Sequence, residues 1–238
     1  MPTRDLDYRC DDVNLRGYLA WNDAAGPRPG VLVFHEGLGL GEFAMERARR
    51  LAGLGYVALA ADMFGDRRQA NNLQQVATLV GGLRAEPDKL RARGRAALST
   101  LAALPQVDAG RLAAIGFCFG GSMVLELARE GADLKAAVSF HGVLTTKMPA
   151  QPGAVKASVL VCTGVDDPLA PPEQVADFKN EMRAGGVRDW QVIAYGNTLH
   201  GFANPAADGS MMRTALYNEQ ADRRSWAAMR SLFDEVLA

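Results

Sequence analysis

The stretch Ala114-Ile115-Gly116-Phe117-Cys118-Phe119-Gly120-Gly121 limits what this chain can fold into more than any other. Leu112 to Ile115 is a short apolar run of the kind that forms a buried strand. Met123 to Ala128 is alanine- and leucine-rich, in the manner of a helix. Between them the spacing Gly-x-Cys-x-Gly is that of a sharp strand-to-helix turn. Glycine is needed on either side of the central residue there because the backbone passes too close to its neighbours for a Cβ. Such a turn pushes Cys118 out beyond the end of the strand, and the following helix aims its first N–H groups at the sulfur, favouring thiolate. Taken alone, the motif leaves a second reading open, a small buried cysteine in a glycine-rich turn.

A chain of 238 residues is long enough for one large α/β domain or two small ones. Its 48% hydrophobic and 22% charged content is that of an ordinary soluble globular protein. A net charge of −1 provides no electrostatic footprint for nucleic acid or an anionic membrane. The N-terminal residues lack the apolar segment of a secretory signal, and no run is long enough to span a bilayer. Cys10, Cys118 and Cys162 are odd in number and far apart, which suits a reducing cytoplasm better than a disulfide framework. With three histidines, none in a ligand-like pair, no metal site is expected.

Apolar runs and helical patterns alternate along the chain. Residues 6–20 read as an opening hairpin, and Pro27-Arg-Pro-Gly as turn chemistry. Val31–Phe34, Tyr56–Ala61, 111–117, Lys135–Phe140, Ser158–Thr163 and Trp190–Tyr195 read as strands. Helices are expected over Glu42–Leu54, Leu73–Leu83 with a weak Gly81-Gly82 end, Pro87–Leu104, Glu173–Ala184 and Leu216–Leu237. The last carries Trp226, Met229, Phe233 and Leu237 on one face. With no linker-like tract and no internal repeat, the expectation is one α/β domain over 1–238, a mainly parallel doubly wound sheet flanked by helices. In such sheets the ligand site lies beyond the carboxyl ends of the strands.

Two further post-strand loops carry candidate chemistry. Gly164-Val-Asp166-Asp167-Pro168 holds carboxylates that can orient a histidine, or simply make a turn and cap the next helix. Gly196-Asn-Thr-Leu-His200-Gly201-Phe202 places a histidine last in the order nucleophile, acid, histidine, the order found in α/β-hydrolases. Each candidate follows a strand and the order is right, so a Cys118, Asp, His200 triad is the expectation.

These pieces, together with Phe34-His35-Glu36-Gly37 and Gly55-Tyr56-Val57-Ala58-Leu59-Ala60, resemble the dienelactone hydrolase family of α/β-hydrolases over nearly the whole chain. The resemblance implies Cys118 as nucleophile, His200 as base and Asp167 as acid. Asp167 is favoured over Asp166 because the family's acid stands just ahead of a segment like Pro168 to Pro171. It further implies Glu36 beside the nucleophile, controlling the thiol proton, and an oxyanion hole from the backbone N–H groups of Phe119 and Gly37. A free thiol with pKa near ~8.5 is only a few per cent ionised at neutral pH, so help in making thiolate has a physical purpose. The implied reaction is acyl transfer from a lactone or ester through a thioester, as in a carboxymethylenebutenolidase, with no cofactor and no metal. A broader carboxylesterase or thioesterase on the same triad is the alternative, and a non-catalytic binding protein of this fold a third reading. Phe202, Asn204, Arg67 and Arg84 are candidates for substrate contact, with Arg68 beside them. Asn204 stands where the family has an arginine for the substrate carboxylate. His35 and His141 are expected to be packed, structural residues, and Cys10 and Cys162 inert. The expected partner is a small molecule, with neither nucleic acid nor membrane, on a monomer or homodimer.

Overall fold

The computed structural model describes residues 1–23 and 26–238. Eight strands belong to a mixed sheet ordered β1-β2-β4-β3-β5-β6-β7-β8, and the chain divides into two compact units, Met1–Ile115 and Gly116–Ala238.

In the first unit β1 (Thr3–Cys10) and β2 (Val13–Ala20) form the antiparallel hairpin that their loose alternation predicts, with Cys10 opposite Val13. β3 (Arg28–Phe34) and β4 (Val57–Ala61) run parallel, Phe34 opposite Ala61, joined by α1 (Glu42–Gly53). Both strands are buried almost throughout, which is why they read as continuous apolar runs rather than alternating ones. β3 begins three residues earlier than the run at Val31 suggests, so Arg28 to Gly30 are strand rather than turn. The Arg28 N–H donates to the Gln106 carbonyl at 2.9 Å, and the bare Cα of Gly30 admits the Leu101, Val107 and Leu112 side chains. α2 (Leu73–Ala85) passes through Gly81 and Gly82 instead of ending there. It stops where Pro87 opens α3 (Pro87–Ala102) at that helix's first turn. β5 (Val107–Phe117) follows, longer than its apolar core.

The second unit continues with α4 (Phe119–Arg129), β6 (Ala136–Phe140), β7 (Ser158–Gly164), α5 (Pro172–Ala184), β8 (Trp190–Tyr195) and α6 (Glu219–Val236). β6, β7 and β8 are parallel, Phe140 beside Cys162 and Cys162 beside Ile193. α6 buries Trp226, Met229 and Phe233, as its spacing predicts, but begins at Glu219 rather than Leu216. Residues 216–218 are engaged elsewhere. Leu216 N–H donates to the His200 carbonyl at 3.0 Å and Asn218 N–H to that of Phe202 at 3.1 Å. The Asn218 side chain then caps the helix through the Ala221 N–H.

α4 and α5 are tied by a buried cation. Arg129 meets both oxygens of Glu181 at 2.8 Å, Glu126 at 3.1 Å and the Leu144 carbonyl at 2.7 Å. Removing the guanidinium strands two carboxylates in a poorly hydrated place. Arg129→Met is therefore expected to lower the unfolding free energy by about 3 kcal/mol, read from urea denaturation at neutral pH. A loss below about 1 kcal/mol contradicts this account.

Candidate active site

At the end of β5 the chain turns within two residues. A Cβ on Gly116 would lie 2.0 Å from the Gly120 carbonyl oxygen, so no other residue fits there. Cys118 takes φ 53 and ψ −113, a conformation that costs any residue with a side chain. It is half-buried and stands at the N-terminus of α4. Its backbone N–H is shared between the Phe140 carbonyl at 3.0 Å and His141 Nδ1 at 3.1 Å. Phe119 opens α4, so its N–H belongs to the first turn, whose donors point out of the helix end.

Two loops after β7 and β8 bring the other candidates together. A Cβ on Gly164 would meet the Thr198 carbonyl at 2.2 Å, so glycine there lets the loops lie against each other. His200 Nδ1 and Asp167 Oδ2 are 2.8 Å apart and both side chains are buried. The second carboxylate oxygen, Oδ1, accepts the Leu169 N–H at 2.8 Å, which holds the acid in one orientation. Asp166 is exposed and its backbone, rather than its side chain, bonds the His200 loop through Thr198.

With Nδ1 taken, Nε2 is the ring atom left for Cys118. It is buried and makes no hydrogen bond of regular geometry among the described residues. Burial works against a proton on this ring. The Cys118 sulfur and the Asp167 carboxylate outweigh it and push the His200 pKa up to about 10. The arrangement is thus suited to a protonated imidazole.

His141 follows β6 with φ 41, fully buried, its ring edge-on to His200 at 5.2 Å and to Phe202 at 5.0 Å between centroids. Phe202 is itself wholly buried, also against Tyr195, so it packs behind the histidines rather than meeting substrate. Asn204 accepts the Ala206 N–H with its side-chain oxygen at 2.9 Å, which shapes its own turn. Burial pushes the Cys162 thiol up to about 12, and Cys10 is also raised by burial, as befits inert cysteines. A surface groove of about 360 Å3 beside α5, lined by Val165, Val175, Lys179 and Arg183 among others, includes none of Cys118, Asp167 and His200.

The first unit holds the remaining candidates. Glu36 and Gly37 follow β3, Glu36 half-buried and Gly37 buried. His35 is buried and structural: Nδ1 lies 2.6 Å from the Glu36 carbonyl, and Nε2 accepts the Met63 N–H at 3.2 Å. Arg67 is not a substrate clamp. Its guanidinium is spent on Asp5 at 2.6 Å and on the Gly17 and Arg16 carbonyls at 2.7 and 3.3 Å. Arg68 likewise bonds the Phe64 carbonyl at 2.6 Å. Arg84 lies half-buried in the last turn of α2. One important residue escapes the sequence reading. Asp62 is fully buried and accepts four backbone N–H groups, from Arg16, Phe64, Gly65 and Arg67, which pins the 62–68 loop. Only its place at the end of an apolar run could have signalled this.

Among the described residues no cluster of His, Cys, Asp and Glu could hold a metal, and no helix is long and apolar enough to cross a membrane. The sequence profile of the dienelactone hydrolase family matches residues 15–237. A protein of Escherichia coli strain K12, provisionally named carboxymethylenebutenolidase, is 31% identical over 186 residues, 74% of this chain and 68% of its own. The solved structure named m3DLH is 47% identical with a TM-score of 0.96, covering 100% of this chain and 99% of that one. The dienelactone hydrolase-like promiscuous phosphotriesterase P91, from metagenomic libraries, is 44% identical with a TM-score of 0.95 over the same shares.

Two outcomes follow from the histidine's surroundings. Since the Cys118 charge raises the His200 pKa and burial lowers it, Cys118→Ala is expected to move the ring's titration downward from about 10, seen by NMR of the Cε1 proton. An unmoved midpoint excludes that cause. Asp167→Asn is expected to lower kcat by roughly a thousandfold or more and Asp166→Asn by less than about threefold. The reverse order makes Asp166 the acid.

Proposed function

This chain belongs to the dienelactone hydrolase family and hydrolyses ester or lactone bonds, and we propose that it does so through Cys118, His200 and Asp167 with a thioester intermediate. The observation that carries the reading is the 2.8 Å His200–Asp167 bond together with the raised pKa that the Cys118 sulfur imposes on the same ring.

The thiolate of Cys118 attacks the carbonyl carbon, and the carbonyl π pair moves to oxygen. The backbone N–H of Phe119, in the first turn of α4, is placed to hold that oxyanion. Collapse reforms the C=O and expels the alkoxy or enolate oxygen, which takes the proton from His200 where it needs one. Once sulfur is acylated its charge is gone, and with it the largest influence holding the proton on His200. Burial then favours neutral imidazole, which is the form needed next. His200 takes a proton from water, hydroxide adds to the thioester, and collapse releases the acid and restores thiolate beside imidazolium. Asp167 keeps the ring oriented and balances its charge.

Arg67 is spent on Asp5 and two carbonyls, and the Asn204 side-chain oxygen on its own turn. Substrates without a carboxylate, or with one that needs no guanidinium clamp, therefore suit this site better than a strongly anionic dienelactone. A second activity is supported by the 44% identity to P91, named a promiscuous phosphotriesterase. The same thiolate can attack the phosphorus of an activated triester, displace its aryloxide, and leave an S–P bond for water to cleave.

Wild type and Cys118→Ala are to be compared on a dienelactone, p-nitrophenyl esters and an aryl phosphotriester. Hydrolysis by wild type that falls about a thousandfold or more in the variant is expected for every substrate accepted. Activity that survives in Cys118→Ala overturns the triad. Turnover of the dienelactone at or above the rate of neutral esters overturns the substrate preference.

A further inference from the structure

The nucleophile turn is strained, and strain at a working residue persists only where its neighbours over-determine it. At Cys118 one of those neighbours is a side chain. The Cys118 N–H reaches His141 Nδ1 at 3.1 Å, alongside the Phe140 carbonyl at 3.0 Å. Two acceptors on one donor resist rotation of the peptide plane between Phe117 and Cys118, which sets the direction of the cysteine side chain.

His141 is built to hold that position. Its own N–H donates to the Cys162 carbonyl at 2.8 Å, anchoring it to β7. Its ring is caged by Phe117 at 6.0 Å, Phe202 at 5.0 Å and His200 at 5.2 Å, and has no exposed surface. An accepting Nδ1 carries no proton, so the neutral ring is the Nε2–H tautomer. Neutrality matters at this place, because a second cation 5.2 Å from His200 would drive the proton off that ring. Asn or Gln could accept the same N–H, but neither fills the space among Phe117, Phe202 and His200 as an imidazole does.

We propose that His141 is a positioning residue for the nucleophile: its neutral imidazole accepts the Cys118 backbone N–H and holds the sulfur at its angle of attack. The proposal rests on Cys118 being the nucleophile. It predicts an effect on the chemical step rather than on substrate capture.

His141→Phe keeps the ring and loses the acceptor. His141→Asn keeps an acceptor at the same reach and tolerates the positive φ that His141 adopts. The phenylalanine variant is expected to lower kcat by about tenfold on a p-nitrophenyl ester, with KM changed by less than about twofold, and to slow alkylation of Cys118 by iodoacetamide similarly. The asparagine variant is expected to recover most of the loss in both. A phenylalanine variant with wild-type kcat, or an asparagine variant no faster than phenylalanine, overturns the proposal. Independently of how either variant folds, nitrogen NMR of the wild-type protein is expected to show His141 Nδ1 unprotonated at neutral pH. A protonated Nδ1 overturns it. Failure of the triad is distinct, since it shows as activity surviving in Cys118→Ala, a variant that keeps the backbone N–H and so leaves the His141 signal in place.

Discussion

A carbonyl oxygen occupies the space where a side chain on Gly116 would begin. That contact with Gly120, 2.0 Å from an imagined Cβ, is what allows β5 to turn into α4 without an intervening loop. The turn in turn forces Cys118 into a left-handed backbone conformation and sets its sulfur at the mouth of a helix. Everything the second unit contributes around it answers to that geometry. His141 and the Phe140 carbonyl hold the amide, while His200 and Asp167 come in from the loops beyond β7 and β8.

The electrostatics depend on balance rather than on any one strong interaction. Burial alone would strip the proton from His200, and the negative groups beside it restore the proton. In the proposed mechanism one of those groups is the nucleophile, so acylation of its sulfur changes the balance. A single imidazole can then serve as acid and as base without a conformational change. His141, close by, adds shape and a hydrogen-bond acceptor for the Cys118 amide.

Much of the polar chemistry near the loops is structural. Asp62 gathers four amides, Arg67 closes on Asp5 and two carbonyls, and Arg129 ties two helices. Arginine in a loop invites a reading as a substrate clamp, yet a guanidinium with five donors is equally fit to satisfy buried carbonyls. Which it does depends on what the fold places within reach.

The elements whose physics is local were legible in the sequence. Buried parallel strands are continuous apolar runs, a turn too tight for Cβ demands glycine, and Pro87 marks a helix start, so the order of elements and the Cys118, acid, His200 sequence could be read directly. Element ends set by distant partners could not. α6 begins late because residues 216–218 pair with the His200 loop. By residue type two adjacent aspartates are alike, and family likeness alone favours Asp167; the folded loops bury it against His200 and leave Asp166 exposed. The same holds for His141, Arg67 and Asp62. Residue type shows what each could do, but its role is decided by which donors and acceptors, tens of residues away, lie within about 3 Å of it.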